Sequence, residues 1–441
     1  MRKLKKQRGI TLVALVITII ILLILAGISI AALTNQGLFG QANRAKDLTA
    51  QKAAEENETL ENYLAQMNAY DTNNSKVDED IFKNVDKTKT DPEAAMPKRA
   101  IVLEADANKG IVIKDSNENE WTWVEVPKTK VFVTATKSDD YDNIENDLIS
   151  YALEYRNGAE GQTYNWIDEW YAIDGETLVT ARTANLTEQQ KTLNTGCGLT
   201  YDEYNMAYKK MLSSVYTNGG FWISRYEAGI EIDNTDSNQN EISNVRNEHS
   251  DITSSSPKAV SQSNRMLYNY LYCNEAQKLA SAMSTDSNKT SSLLFGIQWD
   301  LTCKFLQDKG KLSKEQLKSG DNVGSTNWGN YTNSSIILTK GKYNTDPNSS
   351  NNWLNITSGA KNAQMLLTTG ASEDINKMNI YDLAGNEWEY TLEHATTYEN
   401  NPCAIRGGSF NCSGANNPAA CRHNNNVIYN SCDVGIRAAL Y

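Results

Sequence analysis

Basic charge is in short supply: 42 lysines and arginines stand against 54 aspartates and glutamates, a formal net charge of −12 and a pI near 5.0. Such a field repels a phosphate backbone, so no nucleic-acid partner is expected. Histidine is scarcer still, with only His249, His394 and His423 in the chain. There is no HExxH, no pair of histidines grouped with a carboxylate and no GxSxG. The sequence therefore gives no support for zinc, non-haem iron or serine-hydrolase chemistry, and scattered histidines of this kind read as surface residues. What is plentiful is apolar side chain, 40% of residues with 9% aromatic, enough to bury a core and exclude wholesale disorder. At ~150 residues per domain, 441 residues read as two or three units.

Residues 10–33, ITLVALVITIIILLILAGISIAAL, carry no charge, and the next charge is Arg44. About 20 residues cross a bilayer's hydrocarbon layer, whereas a cleaved secretory signal has an apolar core of ~7–15. The run therefore predicts a membrane-spanning anchor. Arg2, Lys3, Lys5, Lys6 and Arg8 precede it without an acid, which orients the N-terminus to the cytoplasm and everything beyond about residue 34 to the outside. Residues 44–70 are rich in helix formers, with Leu60, Leu64 and Met67 at helical spacing, and predict that the helix continues outward. The basic leader, the glycine and the apolar run, KKQRGITLVALVITIIILLILAGI, resemble the N-termini of type IV prepilins and pseudopilins. That resemblance implies cleavage after Gly9 by a prepilin peptidase, methylation of the new N-terminus at Ile10, and contact with other pilins. The family's usual glutamate at the fifth mature position is Ala14 here, which fits a minor or tip subunit; an uncleaved signal anchor is the alternative.

Residues 71–97 are polar, charged and nearly free of aromatics, a linker composition. In residues 109–127, KGIVIKDSNENEWTWVEVP, apolar and polar residues alternate either side of a turn-rich DSNENE, predicting a hairpin with Trp121 and Trp123 on one face as a core aromatic pair. Residues 141–158 predict short helices, residues 201–217 a longer one and residues 219–229 a strand.

The C-terminal part holds FWISRYEAG (221–229), LLFGIQWD (293–300), INKMNIYDLAGNEWEYTLE (375–393), AIRGGSFNC (404–412) and DVGIRAAL (433–440). Gly385 and Asn386 supply turn geometry at positive φ, while Trp388 and Tyr390 alternate with Glu389 as on a strand entering a core. Arg406 and Arg437 read as partners of buried acids. In their order these segments resemble the formylglycine-generating enzymes, or sulfatase-modifying factors, over about residues 100–441. The resemblance implies a C-type-lectin-like domain with much irregular structure. It also implies structural calcium held by Asp382 and Glu389 with backbone oxygens of Gly385 and Glu387, an oxygen set that suits a hard cation.

In the active enzymes two cysteines after GGS bind copper and oxidise a substrate cysteine, chemistry that needs soft thiolates. Cys412 matches the first, but Asn417 stands where the second belongs and the next thiol is Cys421, so copper is not expected. Seven cysteines lie beyond the apolar run, and disulfides among Cys403, Cys412, Cys421 and Cys432 are expected outside the membrane. Between the GGSF and GIR segments, Asn411, Asn416, Asn417, Asn424, Asn425, Asn426 and Asn430 accumulate. Such residues form loops, and the pattern resembles the variable segment of proteins diversified by retroelements.

These readings define an α+β chain: a leader (1–9), a long N-terminal transmembrane and pilin-like helix (10–70), a linker (71–97) and a formylglycine-generating-enzyme-like domain (98–441). The expected function is display of a non-catalytic binding domain at the cell surface or on a pilus. Asn411, Asn416, Asn417, Arg422, His423, Asn424, Asn425, Asn426 and Tyr429 would contact an extracellular protein or glycan. The alternatives are a copper oxidase using Cys412 and a structural minor pilin. Mass spectrometry of the membrane-extracted chain tests the processing: a mature N-terminus at Ile10 is expected, and retention of residues 1–9 would rule it out.

Overall fold

The structure is a computed structural model that describes residues 80–156, 166–170, 172–174, 177–179, 195–232, 246–318, 323–348, 352–396 and 400–441. The chain divides into two compact units, residues 1–80 and 81–441; the second is described here. The linker expected over 71–97 ends earlier than its composition implies. Phe82 and Ala95 are buried, the Trp222 indole donates to the Ala95 carbonyl at 2.9 Å, and the Trp123 indole donates to Thr90 Oγ1 at 2.9 Å.

The first sheet grows from the hairpin. β1 (Ile101–Glu104) pairs with β2 (Val112–Lys114), and β2 turns into β3 (Glu120–Glu125). Asp115 builds the turn: Oδ1 accepts the backbone N–H groups of Asn117 and Asn119 at 2.9 and 3.0 Å, and Oδ2 accepts the Trp121 indole at 2.8 Å. A short carboxylate bonding to following amides stabilises a turn. Two helices follow, α1 (Tyr141–Tyr151) and α2 (Leu153–Arg156), then a two-residue strand β4 (Trp166–Ile167).

Helix α3 (Tyr201–Asn218) starts at a reciprocal cap, with Thr200 Oγ1 accepting the Glu203 N–H at 3.3 Å and Glu203 Oε2 accepting the Thr200 N–H at 2.8 Å. It buries Tyr204, Tyr208, Met211, Leu212 and Val215 and ends at left-handed Gly219. Strand β5 (Gly220–Ser224) follows and pairs with β3, setting Trp123 edge-on to Trp222 with ring centroids 5.0 Å apart.

Helix α4 (Cys273–Ser281), strand β6 (Ser291–Leu293) and helix α5 (Gly296–Asp308) lead toward a second sheet. It comprises β7 (Trp388–Ala395), β8 (Cys403–Arg406), β9 (Arg422–Asn425) and β10 (Val434–Ile436) in the order β9-β8-β7-β10, with β4 added to the far end of β7. β10 runs parallel to β7; the other pairs are antiparallel. The last strand, β11 (Ala438–Leu440), returns to the first sheet between β5 and β6, giving the order β1-β2-β3-β5-β11-β6. Every residue of β7 and β8 is buried, so this sheet is covered on both faces.

The turn into β7 is left-handed at three residues, Asp382 (φ 60°), Gly385 (φ 75°) and Asn386 (φ 63°). At Gly385 a Cβ would run into the Asn330 backbone. Asn386 is the hub: its Oδ1 accepts from Asn330 Nδ2 at 2.8 Å and Leu367 N at 3.0 Å, its Nδ2 donates to Glu227 Oε2 at 2.6 Å, and its carbonyl accepts the Phe410 N–H at 2.9 Å. One buried amide thereby joins four separated segments with its polar atoms satisfied.

The expected plan of an α+β chain led by a long membrane-spanning helix and completed by a C-type-lectin-like domain is corrected. The described residues form a mixed helix-and-sheet body with six sheets, and no helix among them is long and apolar enough to cross a membrane. The 18-residue α3 buries one stripe and exposes Asp202, Glu203, Lys209 and Lys210 on the other. The apolar run of residues 10–33 lies outside the described residues, as do Gly9 and Ile10. Gly385→Ala forces a left-handed alanine against the Asn330 carbonyl and is expected to cost about 1–3 kcal/mol or more, read from the urea midpoint. A midpoint matching wild type would show that the turn relaxes.

Candidate functional site

Glu389, Thr391 and Glu393 alternate along β7 on one face, the period-2 spacing of a strand, and that face is buried. Glu393 lies in a six-member charge network. Arg422 Nε reaches its two carboxylate oxygens at 3.0 and 3.1 Å, Arg406 Nη1 reaches Oε2 at 3.3 Å, and Arg156 Nη1 reaches Oε1 at 3.0 Å. Asp300 of α5 takes Arg422 Nη2 at 2.6 Å and Arg406 Nη2 at 2.9 Å, and Asp168 takes Arg156 at 3.1 Å. Asp168 also accepts the first amides of α5, from Gly296 at 2.6 Å and Ile297 at 2.9 Å. Three guanidinium groups and three carboxylates thus balance without solvent. Burial raises Asp300, but the guanidinium groups of Arg422, Arg406 and Arg156 outweigh it and hold the carboxyl below its usual range.

This network anchors the asparagine-rich segment. β9 is an edge strand whose residues face β8 in the register Arg406↔Arg422, Ile405↔His423, Ala404↔Asn424 and Cys403↔Asn425. Arg422 is turned inward, its side chain only 3% exposed, and is committed to the buried acids. His423 faces outward with its ring 5.8 Å from that of Trp388. Asn411, Asn416, His423, Asn426 and Ile428 are exposed, while Asn417, Asn424, Asn425 and Tyr429 are half-buried.

The segment's main chain is held mostly from the core side, with two local bonds from exposed residues: Asn426 Oδ1 accepts the Ile428 N–H at 3.1 Å, and His423 Nδ1 lies 3.1 Å from the Asn424 carbonyl. The Tyr390 hydroxyl donates to the Tyr429 carbonyl at 2.6 Å, Cys273 N–H to Val427 O at 3.2 Å, Tyr270 N–H to Ser431 O at 3.1 Å and Ala420 N–H to Leu317 O at 2.9 Å. Tyr390 therefore supports the segment from beneath. Asn411 is tied at the base, Nδ2 donating to Asp433 Oδ2 at 3.0 Å.

The four residues expected to hold calcium have separate partners. Both Glu389 oxygens are taken by Arg437, at 2.9 Å from Nε and 2.7 Å from Nη2. Asp382 Oδ2 accepts the Gly370 N–H at 2.8 Å. Glu387 Oε1 accepts from Asn269 Nδ2 at 2.9 Å, and its Oε2 lies against Gly435 with no hydrogen-bond partner among the described residues. The Gly385 N–H is bonded to the Gly407 carbonyl at 2.9 Å. No three of these side chains meet as a ligand set among the described residues.

Sequence reasoning named Glu387 but missed its neighbour Glu227, buried in the FWISRYEAG segment and accepting the Glu387 N–H at 3.0 Å. Burial holds both Glu227 and Glu387 well above the ordinary carboxylate range and brings Asp382 to about 6. Arg406 and Arg437 are both buried partners of core acids, as their residue type suggested.

All seven cysteines are free, so none of the disulfides expected among the last four is formed. Cys412 is half-buried with Sγ 3.3 Å from Ser409 Oγ. Cys421 faces Asn417 Oδ1 at 3.7 Å, and burial pushes its thiol up to about 12. His394, expected at the surface, is buried against Trp170, and burial pulls it down to about 4.

No family model and no curated protein matches the chain. Among solved structures it is similar to Treponema denticola variable protein 1, at 16% identity over 37% of this chain and 54% of that one, with a TM-score of 0.22. The chain thus spans about half the length of that protein.

Acids whose folded pKa is raised bind their protons more tightly in the folded state. Their contribution to stability is full below the unfolded value near 4 and is lost as pH rises through the folded value. Glu227, Glu387 and Asp382 therefore predict a melting temperature that falls between about pH 5 and pH 8. Glu387→Gln keeps the acceptor for Asn269 and removes the ionisation. It is expected to melt no lower than wild type at the alkaline end and to flatten the slope. A slope parallel to wild type would exclude Glu387 as its source.

Proposed function

We propose that this chain is a binding protein displayed at the cell surface, held there by the uncharged run of residues 10–33 after prepilin-like processing. In this reading it presents the asparagine-rich segment 411–430 to an extracellular protein or glycan, and its formylglycine-generating-enzyme-like motifs serve as framework rather than as catalyst. The observation that carries the reading is the separation of roles within that segment. Its main chain is fixed by Tyr390, Tyr270, Cys273 and the β8–β9 ladder, and Arg422 is locked into buried acids, while Asn416, His423 and Ile428 project outward. A surface whose frame is fixed mainly from the core side tolerates change in much of what it contacts, the logic of binding loops on rigid scaffolds.

Contact would be made chiefly by Asn411, Asn416, His423, Asn426 and Ile428, with Asn417, Asn424, Asn425 and Tyr429 at the margins. Amide and imidazole groups flanked by an exposed isoleucine suit a ligand with hydrogen-bonding edges and an apolar face, a description that covers both a glycan and a protein epitope.

The triple variant Asn416→Ala, His423→Ala, Ile428→Ala tests this. Each change is expected to shift stability by no more than about 0.5 kcal/mol, whereas retention on a glycan or cell-surface array is expected to drop to background. Wild-type retention by the folded variant would remove the segment as the contact surface.

A further inference from the structure

The sequence holds no recognisable metal motif, yet the fold assembles a set of metal-ligating side chains from two separated stretches. His249, Asp251 and Glu275 place one ligand atom each within 4.8 Å of one another, and no other trio of histidine, cysteine, aspartate or glutamate does so among the described residues. His249 Nε2 lies 3.0 Å from Glu275 Oε2. Neighbouring ligands of a tetrahedral ion with bonds of ~2.0–2.1 Å stand ~3.3 Å apart, so only a small opening separates the pair from a coordinating geometry.

The set is held from behind. The imidazole stacks on Tyr272, with ring centroids 3.7 Å apart and planes at 15°. Glu275 is buried, its Oε1 accepting the Ile252 N–H at 3.1 Å and its Oε2 the Tyr272 N–H at 2.9 Å. Bonds of this kind orient ligands ahead of binding. Asp251 closes the trio from the exposed side. The nearby cations are directed elsewhere: Lys278 Nζ donates to the Ile252 carbonyl at 2.8 Å, Arg246 Nη2 donates to the carbonyls of Ser250 at 2.8 Å and Tyr270 at 2.9 Å, and the guanidinium lies over Tyr268.

We propose that His249, Asp251 and Glu275 bind a divalent transition-metal ion, zinc in preference to calcium. An imidazole nitrogen with two carboxylates suits zinc, whereas calcium and magnesium take shells of oxygen. Two carboxylates match the ion's charge, and three protein ligands leave a fourth position open to water. The ion pins residues 249–252 to the start of α4, whose first amide, that of Cys273, holds the Val427 carbonyl of the asparagine-rich segment.

The test uses the full-length chain, reduced, stripped of metal and titrated with Zn²⁺ by calorimetry and with Co²⁺ by absorption. Wild type is expected to take up one ion that His249→Ala abolishes and that Asp251→Asn binds about tenfold or more weakly. The cobalt complex lost in His249→Ala is expected to show the weak visible bands of nitrogen and oxygen ligands. Because seven free thiols compete for either ion, a thiolate-to-cobalt charge-transfer band at the lost site would overturn the assignment. Zinc stoichiometry unchanged by His249→Ala would overturn it too, as would Ca²⁺ displacing Zn²⁺ there. Glu275 is left intact because it caps α4, so loss of binding in the other two variants is not loss of the helix.

Discussion

A strand that points glutamates into a closed interior exists only if cations are delivered to them, and β7 imposes this condition on the molecule. Glu389 and Glu393 lie on one face of a sheet with no solvent on either side. Isolated carboxylates there would cost several kcal/mol each, and an ion pair offsets this only with close, hydrogen-bonded geometry. The topology supplies it. Arg437 arrives because β10 runs parallel beside β7 before the chain leaves for the first sheet. Arg406 comes from the antiparallel neighbour β8, Arg422 from β9 beyond it and Arg156 from the end of α2. Removing one member would leave an uncompensated buried charge, typically a loss of about 3–5 kcal/mol.

The same condition explains why the outer strand can carry a changeable surface. β9 is secured by Arg422, whose guanidinium spans Asp300 and Glu393, so its position does not rest on its outward residues. Alternation along a strand then separates the two duties: Arg422 points in and His423 points out. The remaining tethers end on backbone carbonyls at Val427, Tyr429 and Ser431, which any residue provides. Unpaired strand edges invite pairing with other chains, and the short length of β9 limits that hazard.

What was legible in the sequence was local. The β2–β3 hairpin, the α3 cap at Thr200 and Glu203, and the left-handed turn at Gly385 and Asn386 each depend on residues a few positions apart, so pattern and turn chemistry identify them. What was not legible depends on partners brought together by the fold. Arg422 reads as a surface arginine until Asp300, 122 residues away, is placed against it. Glu389 reads as a calcium ligand until Arg437, 48 residues on, takes both its oxygens. His249 reads as a stray surface histidine because Glu275 is 26 residues distant and on another element. Short-range motifs carry spacing, and long-range ion pairs carry none.

The two buried charge sets also differ in kind. Around Glu393 cations and anions are equal in number, although burial still raises Asp168 to about 6. Around Asn386 lie Glu227, Asp382, Glu387 and Glu389; of these acids Arg437 bonds Glu389, and its other donors go to the carbonyls of Ser224 and Tyr381. The excess acid is relieved by holding protons, which burial favours. Glu387 lies beside Asp433, which repels its charge and which also accepts the side-chain amide of Asn411 at the root of the asparagine-rich segment. Ionising Glu387 therefore places a second charge next to Asp433 at the base of that segment.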